Sequence, residues 1–406
     1  MPKWEIVEGN LATPQGFQAA AVAAGLKKAA GALDLALIFS EAAGTTAAGL
    51  FTTNRAAAAP VNLCRQHLAA GHGHARAIIV NSGNANACTG QAGARIAQAT
   101  GRAVAKLFRL SAHQVLVAST GVIGVPLKLD LILHKLPSLK ENLSQENASS
   151  VARAIMTTDT IPKSLVLQTR MAGKTVRLAG IAKGSGMIHP RMATMLSFIT
   201  TDANVGPRDL QQMLRAAVNV SFNCVTVDGD TSTNDTVLAL ASGLSGVSAR
   251  QNSPQGKHFL AGLTHLCQAL ARMIAQDGEG AGKLITVEVR GAQRSSDAER
   301  IARAIANSPL VKTAIAGSDA NWGRIICAAG YSGASFDPTK VDIRINDFLL
   351  CRHGLGAGFD EAAAKRELDG KELTVRLDLH QGKASARMWT CDLTHAYIDI
   401  NASYRS

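Results

Sequence analysis

Residues 183–202 read Lys183-Gly-Ser-Gly-Met-Ile-His-Pro-Arg-Met-Ala193-Thr194-Met-Leu-Ser-Phe-Ile-Thr-Thr-Asp202. The glycines give the chain freedom to turn. Small Ala193 then precedes Thr194, and the apolar run from Met195 to Ile199 has the composition of a buried strand. Taken alone, Ala-Thr is a common dipeptide, and a threonine opening a strand is its ordinary meaning.

Around this segment, short strands and helices alternate with small-residue turns. Leu35 to Ser40, Ala77 to Val80 and Val115 to Ala118 read as buried strands. A helix is expected from about Ala92, with Ile96, Val104, Leu107 and Phe108 on one side. Pro207 opens another, whose Leu210, Met213, Leu214, Ala217 and Val218 follow an i, i+3, i+4, i+7, i+8 stripe. Leu263, Leu266, Leu270, Met273 and Ile274 mark a third, ending near Gly278. Ser296 and Glu299 have capping-box spacing ahead of Ile301 and Ile305, with Pro309 closing that helix. Val341–Ile345 and Leu373–Leu377 alternate as half-buried strands do, the second leading to the turn His380-Gln381-Gly382. The chain is expected to finish on an alternating strand, Tyr397-Ile398-Asp399-Ile400. This mixture predicts an α+β (mixed α/β) fold with mixed or antiparallel sheets, not a regular βαβ array.

Composition narrows the function. Apolar residues make up 47% of the 406, charged residues 18% and aromatics 4%, the profile of a compact soluble protein with few stacking platforms for bases. The formal charge of +12 raises nucleic acid as a partner, but lysines and arginines are scattered, without a basic arm. A basic surface that favours anionic metabolites fits better. The seven cysteines contain no C-x-x-C pair, which argues for reduced thiols in the cytoplasm, mostly buried. His72-Gly73-His74 lacks the spacing and carboxylates of a metal site and reads as a surface loop. No continuous apolar stretch is long enough to span a membrane. Glu5 and Glu8, ahead of the Ala-rich run Gly16–Leu26, oppose a signal peptide.

Glycine-rich candidates mostly fall away. Ala172-Gly-Lys-Thr175 ends like a phosphate-binding loop, but Gln168 stands where its first glycine belongs. Neither Gly278–Lys283 nor Gly354–Gly358 has the G-x-G-x-x-G spacing of a dinucleotide site. Neither G-x-S-x-G nor H-E-x-x-H occurs.

Chemistry gives the Ala193–Thr194 bond a second meaning. A threonine hydroxyl is a poor nucleophile until a base takes its proton. If that hydroxyl attacked the Ala193 carbonyl and the bond broke, a free α-amine of pKa about 7.7–8.0 would lie beside it as a local general base. The branched Cβ of threonine also restricts the hydroxyl's rotamers.

The whole segment resembles the self-cleavage site of the glutamate N-acetyltransferase/ornithine acetyltransferase family, K-G-[SA]-G-M-I-x-P-x-M-A-T-M-L. The resemblance continues along the chain. It takes in Phe51-Thr-Thr-Asn-Arg55, Asn81-Ser-Gly-Asn-Ala-Asn86, Ser119-Thr-Gly-Val-Ile-Gly124 and Ile155-Met-Thr-Thr-Asp-Thr160. Asn223-Cys-Val-Thr-Val-Asp-Gly-Asp230, Asp277-Gly-Glu-Gly280 and Gly317-Ser-Asp-Ala-Asn-Trp-Gly323 complete it.

The resemblance implies a self-cleaved acetyltransferase fold, similar to self-processing aminopeptidases, with an α chain of residues 1–193 and a β chain of 194–406. Thr194 would be the nucleophile, and Thr120 and Gly121 the oxyanion hole. Thr157, Lys183, Thr194, Glu279, Asn401 and Ser406 would bind substrate, Ser406 standing where the family commonly has threonine. The implied reaction moves an acetyl group from N-acetylornithine to glutamate without organic cofactor or metal, acetyl-CoA being a possible second donor. Two α and two β chains are implied. The rival readings are a self-processing hydrolase or aminopeptidase, whose acyl group would go to water, and a nucleic-acid-binding module.

Overall fold

The computed structural model describes residues 3–189 and 195–403. Its first strands are β1 (Glu5–Ile6), β2 (Phe17–Val22), β3 (Leu35–Ser40), β4 (Thr46–Phe51), β5 (Ala77–Asn81) and β6 (Val115–Ser119). The middle of the chain adds β7 (Lys163–Met171), β8 (Lys174–Lys183), β9 (Leu196–Thr201) and β10 (Thr236–Ala241). The last part supplies β11 (Leu284–Ala292), β12 (Asp342–Ile345), β13 (Phe348–Arg352), β14 (Leu355–Gly356), β15 (Glu372–Asp378) and β16 (Ala384–Cys391). They form three sheets, ordered β1-β7-β8-β9-β10-β4, β2-β3-β5-β6 and β14-β13-β12-β15-β11-β16. Each is mostly antiparallel with one parallel pair: β9–β10, β5–β6 and β11–β15. The expected α+β architecture with mixed sheets is therefore present.

The first two sheets stack face to face, and helices cover both outer faces. Period-two alternation explains the stacking. In β10, Leu238 and Leu240 point into the space between the sheets, where Ile38, Ile78, Val80 and Leu116 meet them. Val237, Ala239 and Ala241 point the other way, onto the helices Pro207–Asn219 and Pro254–Gln276. Leu35, Leu37, Ile79 and Val117 face the helices Gly90–Phe108 and Leu129–Glu141 on the far side. Strands buried on both faces read as continuous apolar runs, which is why these segments were legible. The stripe of Leu210, Met213, Leu214, Ala217 and Val218 is fully buried. Each of its larger members contributes about 1.5–3 kcal/mol by leaving water. The third sheet packs on the helices Ser295–Asn307, Pro309–Ala316 and Trp322–Gly330 as a separate core.

Two expectations are corrected. The segment containing Tyr397–Ile400 is the helix His395–Ser403, not a strand. Four alternating residues cannot separate a period of 2 from one of 3.6. The helix Ser295–Asn307 begins one residue before Ser296, which therefore caps nothing, and Arg294 binds Asp297 through its guanidinium at 2.8 Å instead. Of the cysteines, Cys64, Cys267, Cys351 and Cys391 are buried, and none forms a disulfide. No helix of the described residues is long and apolar enough to cross a membrane.

Candidate active site

β6 and β8 end, and β10 begins, at one end of the paired sheets. Lys183, the last residue of β8, pairs with Leu196, the first of β9, and Leu196 pairs in turn with Thr236. This end of the sandwich collects residues from seven separate stretches of sequence around a cavity of about 70 Å3.

Thr120 and Gly121 follow β6 directly. The end of β5 and the turn after it hold them: the Thr120 N–H donates to the Asn81 carbonyl at 3.0 Å, and the Val122 N–H to that of Gly83 at 3.4 Å. Gly121 has φ +128°, and a Cβ there would lie 2.4 Å from the Gly83 carbonyl carbon. Glycine is thus dictated both by the backbone angle and by the close approach. Asn234 adds a brace, its amide donating to the Ala85 and Ser119 carbonyls at 2.7 and 2.8 Å.

Lys183 is buried, and its ammonium donates to the hydroxyl of Thr157 at 2.9 Å and to that of Thr120 at 3.3 Å. Burial pushes its pKa below that of an ordinary lysine; Asp159, Asp235 and Glu279 oppose this, and Lys163 adds to it. Glu279, also buried, accepts from the Asn401 amide at 2.8 Å. Gly186 makes room for that carboxylate, since a Cβ at Gly186 would sit 2.2 Å from it. The helical turn corrected above puts Tyr397 and Asn401 on one face, so Asn401 reaches Glu279 while Tyr397 lies 3.4 Å from Asp228.

Behind the cavity lies a set of charges that sequence reasoning missed. The fully buried Lys163 ammonium lies 2.7 Å from Asp159 and 2.6 Å from Asp277. Asp277 also accepts from the Thr160 hydroxyl, and Asp159 from the Gly184 N–H at 2.6 Å and the Thr157 N–H at 3.0 Å. These bonds tie the Thr157–Thr160 loop, the Lys183–Gly184 turn and the Asp277–Gly280 turn into one unit. Burial works against the Asp159 carboxylate, yet Lys183, Lys163 and the Gly184 N–H outweigh it and leave its pKa lowered. Asp159 and Asp277 stand in the two motifs already quoted; the partner, Lys163, lay outside both.

The structure therefore brings together Thr120, Gly121, Thr157, Lys183, Glu279 and Asn401. Thr194, Ala193 and Ser406 lie outside the described residues. Chemically, the cavity offers hydroxyl and amide donors at one wall, a buried cation at the next and a carboxylate opposite. That suits a small substrate bearing both a carboxylate and an amine.

Residues 18–406 match the ArgJ family. The arginine biosynthesis bifunctional protein ArgJ of Symbiobacterium thermophilum is 48% identical over 404 residues, covering 99% of this chain and 100% of that one. The protein of the same name from Chlorobaculum tepidum is 48% identical over 393 residues, covering 97% and 96%. The crystal structure of the arginine biosynthesis bifunctional protein argJ from Bacillus halodurans is similar with a TM-score of 0.51 at 46% identity. It covers 52% of this chain and 100% of the solved chain.

Proposed function

The chain belongs to the ArgJ family, and from that premise we propose that it transfers the acetyl group of N2-acetyl-L-ornithine to L-glutamate through an acetyl-Thr194 intermediate. Ornithine and N-acetylglutamate are the products. Acetyl-CoA serves as a further acetyl donor in the bifunctional form of the activity. One observation carries the reading. Thr120, Gly121, Thr157 and Lys183, from before residue 193, share a single cavity with Glu279 and Asn401, from after it.

The enzyme first cuts itself. The Thr194 hydroxyl bonds to the Ala193 carbonyl carbon, the C–N bond breaks, and the departing nitrogen takes the hydroxyl proton. Water then hydrolyses the ester, leaving a carboxylate on Ala193 and a free amine on Thr194. In the transfer reaction that amine accepts the hydroxyl proton while Thr194 attacks the acetyl carbonyl, and it passes the proton to the leaving amine of ornithine. Glutamate's amine then attacks the acetyl ester, and the Thr194 hydroxyl is restored. The Thr120 hydroxyl and Gly121 N–H stabilise the oxyanion in each half. Lys183 faces the substrate carboxylate as a point charge. Glu279, steadied by Asn401, holds the side-chain amine of ornithine, and Thr157 and Ser406 add hydroxyls to the substrate site.

The α chain is residues 1–193 and the β chain 194–406, assembling as α2β2 in the cytoplasm without cofactor or metal. In keeping with a cut precursor, the whole solved chain from Bacillus halodurans corresponds to about half of this one. Intact-mass measurement of the wild type beside T194A tests the reading: two fragments meeting between Ala193 and Thr194 are expected, absent in the variant. Initial rates are expected to be ping-pong. Acetate release without glutamate, at the rate of transfer, would identify a hydrolase instead.

A further inference from the structure

The loop that leads into β10 touches the chain on both sides of residues 190–194. On the upstream side, the Met187 and Ile188 N–H groups donate to the two oxygens of Asp228, at 2.5 and 2.9 Å. The Ile188 carbonyl accepts from the Val227 N–H at 2.8 Å and the Thr226 hydroxyl at 3.1 Å. On the downstream side, the Met195 N–H donates to Asp235 at 2.9 Å, and the Met195 carbonyl accepts from the Thr236 N–H at 3.0 Å. Both flanks are therefore held through a peptide N–H and a peptide carbonyl, each time with an aspartate as the side-chain acceptor.

The loop itself is fixed. Thr226 N–H donates to the Trp389 carbonyl at 2.9 Å, Ala58 N–H to the Thr233 carbonyl at 2.8 Å, and Thr52 N–H to the Asp235 backbone carbonyl at 2.9 Å. Asp235 is completely buried, and its second carboxyl oxygen has no hydrogen-bond partner among the described residues. The Thr52 hydroxyl donates to the Ser232 carbonyl at 2.7 Å. A buried carboxyl oxygen without a donor is costly. It is retained next to Met195, the residue bonded to Thr194. Upstream, Met187 has φ +55°, a left-handed conformation uncommon for a side chain of its kind, and the Asp228 contact pins it there.

We infer that Asp228 and Asp235 are positioning residues that clamp the chain across the self-cleavage site, Asp228 gripping the upstream flank and Asp235 the downstream one. The inference rests on the cleavage proposed above. It assigns the two grips different lifetimes. Before cleavage the two grips hold the two flanks of one continuous segment. After cleavage the upstream grip holds only the end of the α chain, whereas the downstream grip still orients the strand that begins with the nucleophile. Proximity and orientation of this kind are worth large factors in rate, and displacement of about 1 Å is enough to lose them.

The test follows self-cleavage by intact mass over time in freshly made wild type, D228A, D235A, D235N and T194A, with circular dichroism melts to establish folding. D228A and D235A are expected to cleave at least tenfold more slowly than wild type. D235N keeps an acceptor for the Met195 N–H and is expected within threefold of wild type. Per mole of cleaved enzyme, D235A is expected to lower kcat more than D228A does, with KM for N-acetylornithine changed less than kcat. Wild type that stays whole overturns the self-processing reading itself. Wild type that cleaves while folded D228A and D235A cleave at its rate overturns the clamp alone. So does D235N as slow as D235A. If D235A fails to fold, D228A still reads the upstream grip.

Discussion

The Lys183 ammonium donates to the Thr157 hydroxyl across 2.9 Å inside a cavity wall from which water is almost excluded. Asp159, whose side chain the Thr157 N–H also reaches, supplies the balancing charge. The cation is thus held at a fixed place with a hydroxyl and an acid already oriented around it, so that a substrate carboxylate meets a prepared site.

Replacing Lys183 by methionine removes that charge while keeping most of the stem's volume. Loss of a charge-assisted hydrogen bond of about 1.5–3 kcal/mol predicts a fall in kcat/KM of roughly 10- to 150-fold, carried largely by KM for N-acetylornithine. Steady-state kinetics on cleaved protein check it, and an unchanged KM would exclude Lys183 from carboxylate binding.

At the oxyanion wall, T120A is expected to lower kcat by roughly 10²–10³ with little change in KM. T120S keeps the hydroxyl and should recover most of the loss. G121A should be worse than either, because its Cβ would press on the Gly83 carbonyl carbon at 2.4 Å from a backbone angle that disfavours it. Its melting temperature is expected to fall together with its activity.

Lys163 contacts Asp159 and Asp277 but lies behind the cavity, so its replacement acts first on stability. K163M leaves two buried carboxylates without their cation, and a destabilisation of about 3–5 kcal/mol is expected from denaturant unfolding. A variant as stable as wild type would mean that this buried set is dispensable.

Asp235 carries a pH signature. Burial raises its pKa well above that of an ordinary aspartate, the Met195 N–H and Lys183 opposing it. A carboxyl that binds its proton more tightly folded than unfolded contributes stability below its unfolded pKa, about 3.9, and loses it as pH rises through the folded value. D235N is always neutral. Its melting temperature relative to wild type should therefore improve from pH 4 to pH 8, and a constant difference would show that Asp235 titrates alike folded and unfolded.

Legibility followed the range of the interactions. Helical stripes such as Leu210–Val218 and the two-sided strands Leu35–Ser40 and Ala77–Val80 are local patterns, and they fold as their periodicity indicates. Tyr397–Ile400 was misread because its short alternation is indifferent to period, and its helical form is felt at Glu279 and Asp228, more than a hundred residues away. The site residues became legible through motif resemblance, not through spacing. Lys163 stayed hidden because its partner Asp277 is 114 residues distant, and a lone lysine opening a strand carries no mark of its role. Asp228 stood in a quoted motif without a role, and Asp235 stood in none, because their partners Met187, Ile188 and Met195 are some forty residues away in the sequence.

The order β1-β7-β8-β9-β10-β4 has one more consequence. β9 and β10, which follow Thr194, are inserted between β8 and β4, which precede it. Neither half of the sequence contains the whole of this sheet: without the second half β8 and β4 lose their inner partners, and without the first half β9 and β10 are a pair with two bare edges. The parts before and after Thr194 are thus interleaved in this sheet like the fingers of clasped hands. The scission proposed above would change the number of termini without making the partners separable, and either half made by itself is expected to be an aggregation-prone fragment that no later mixing readily rescues.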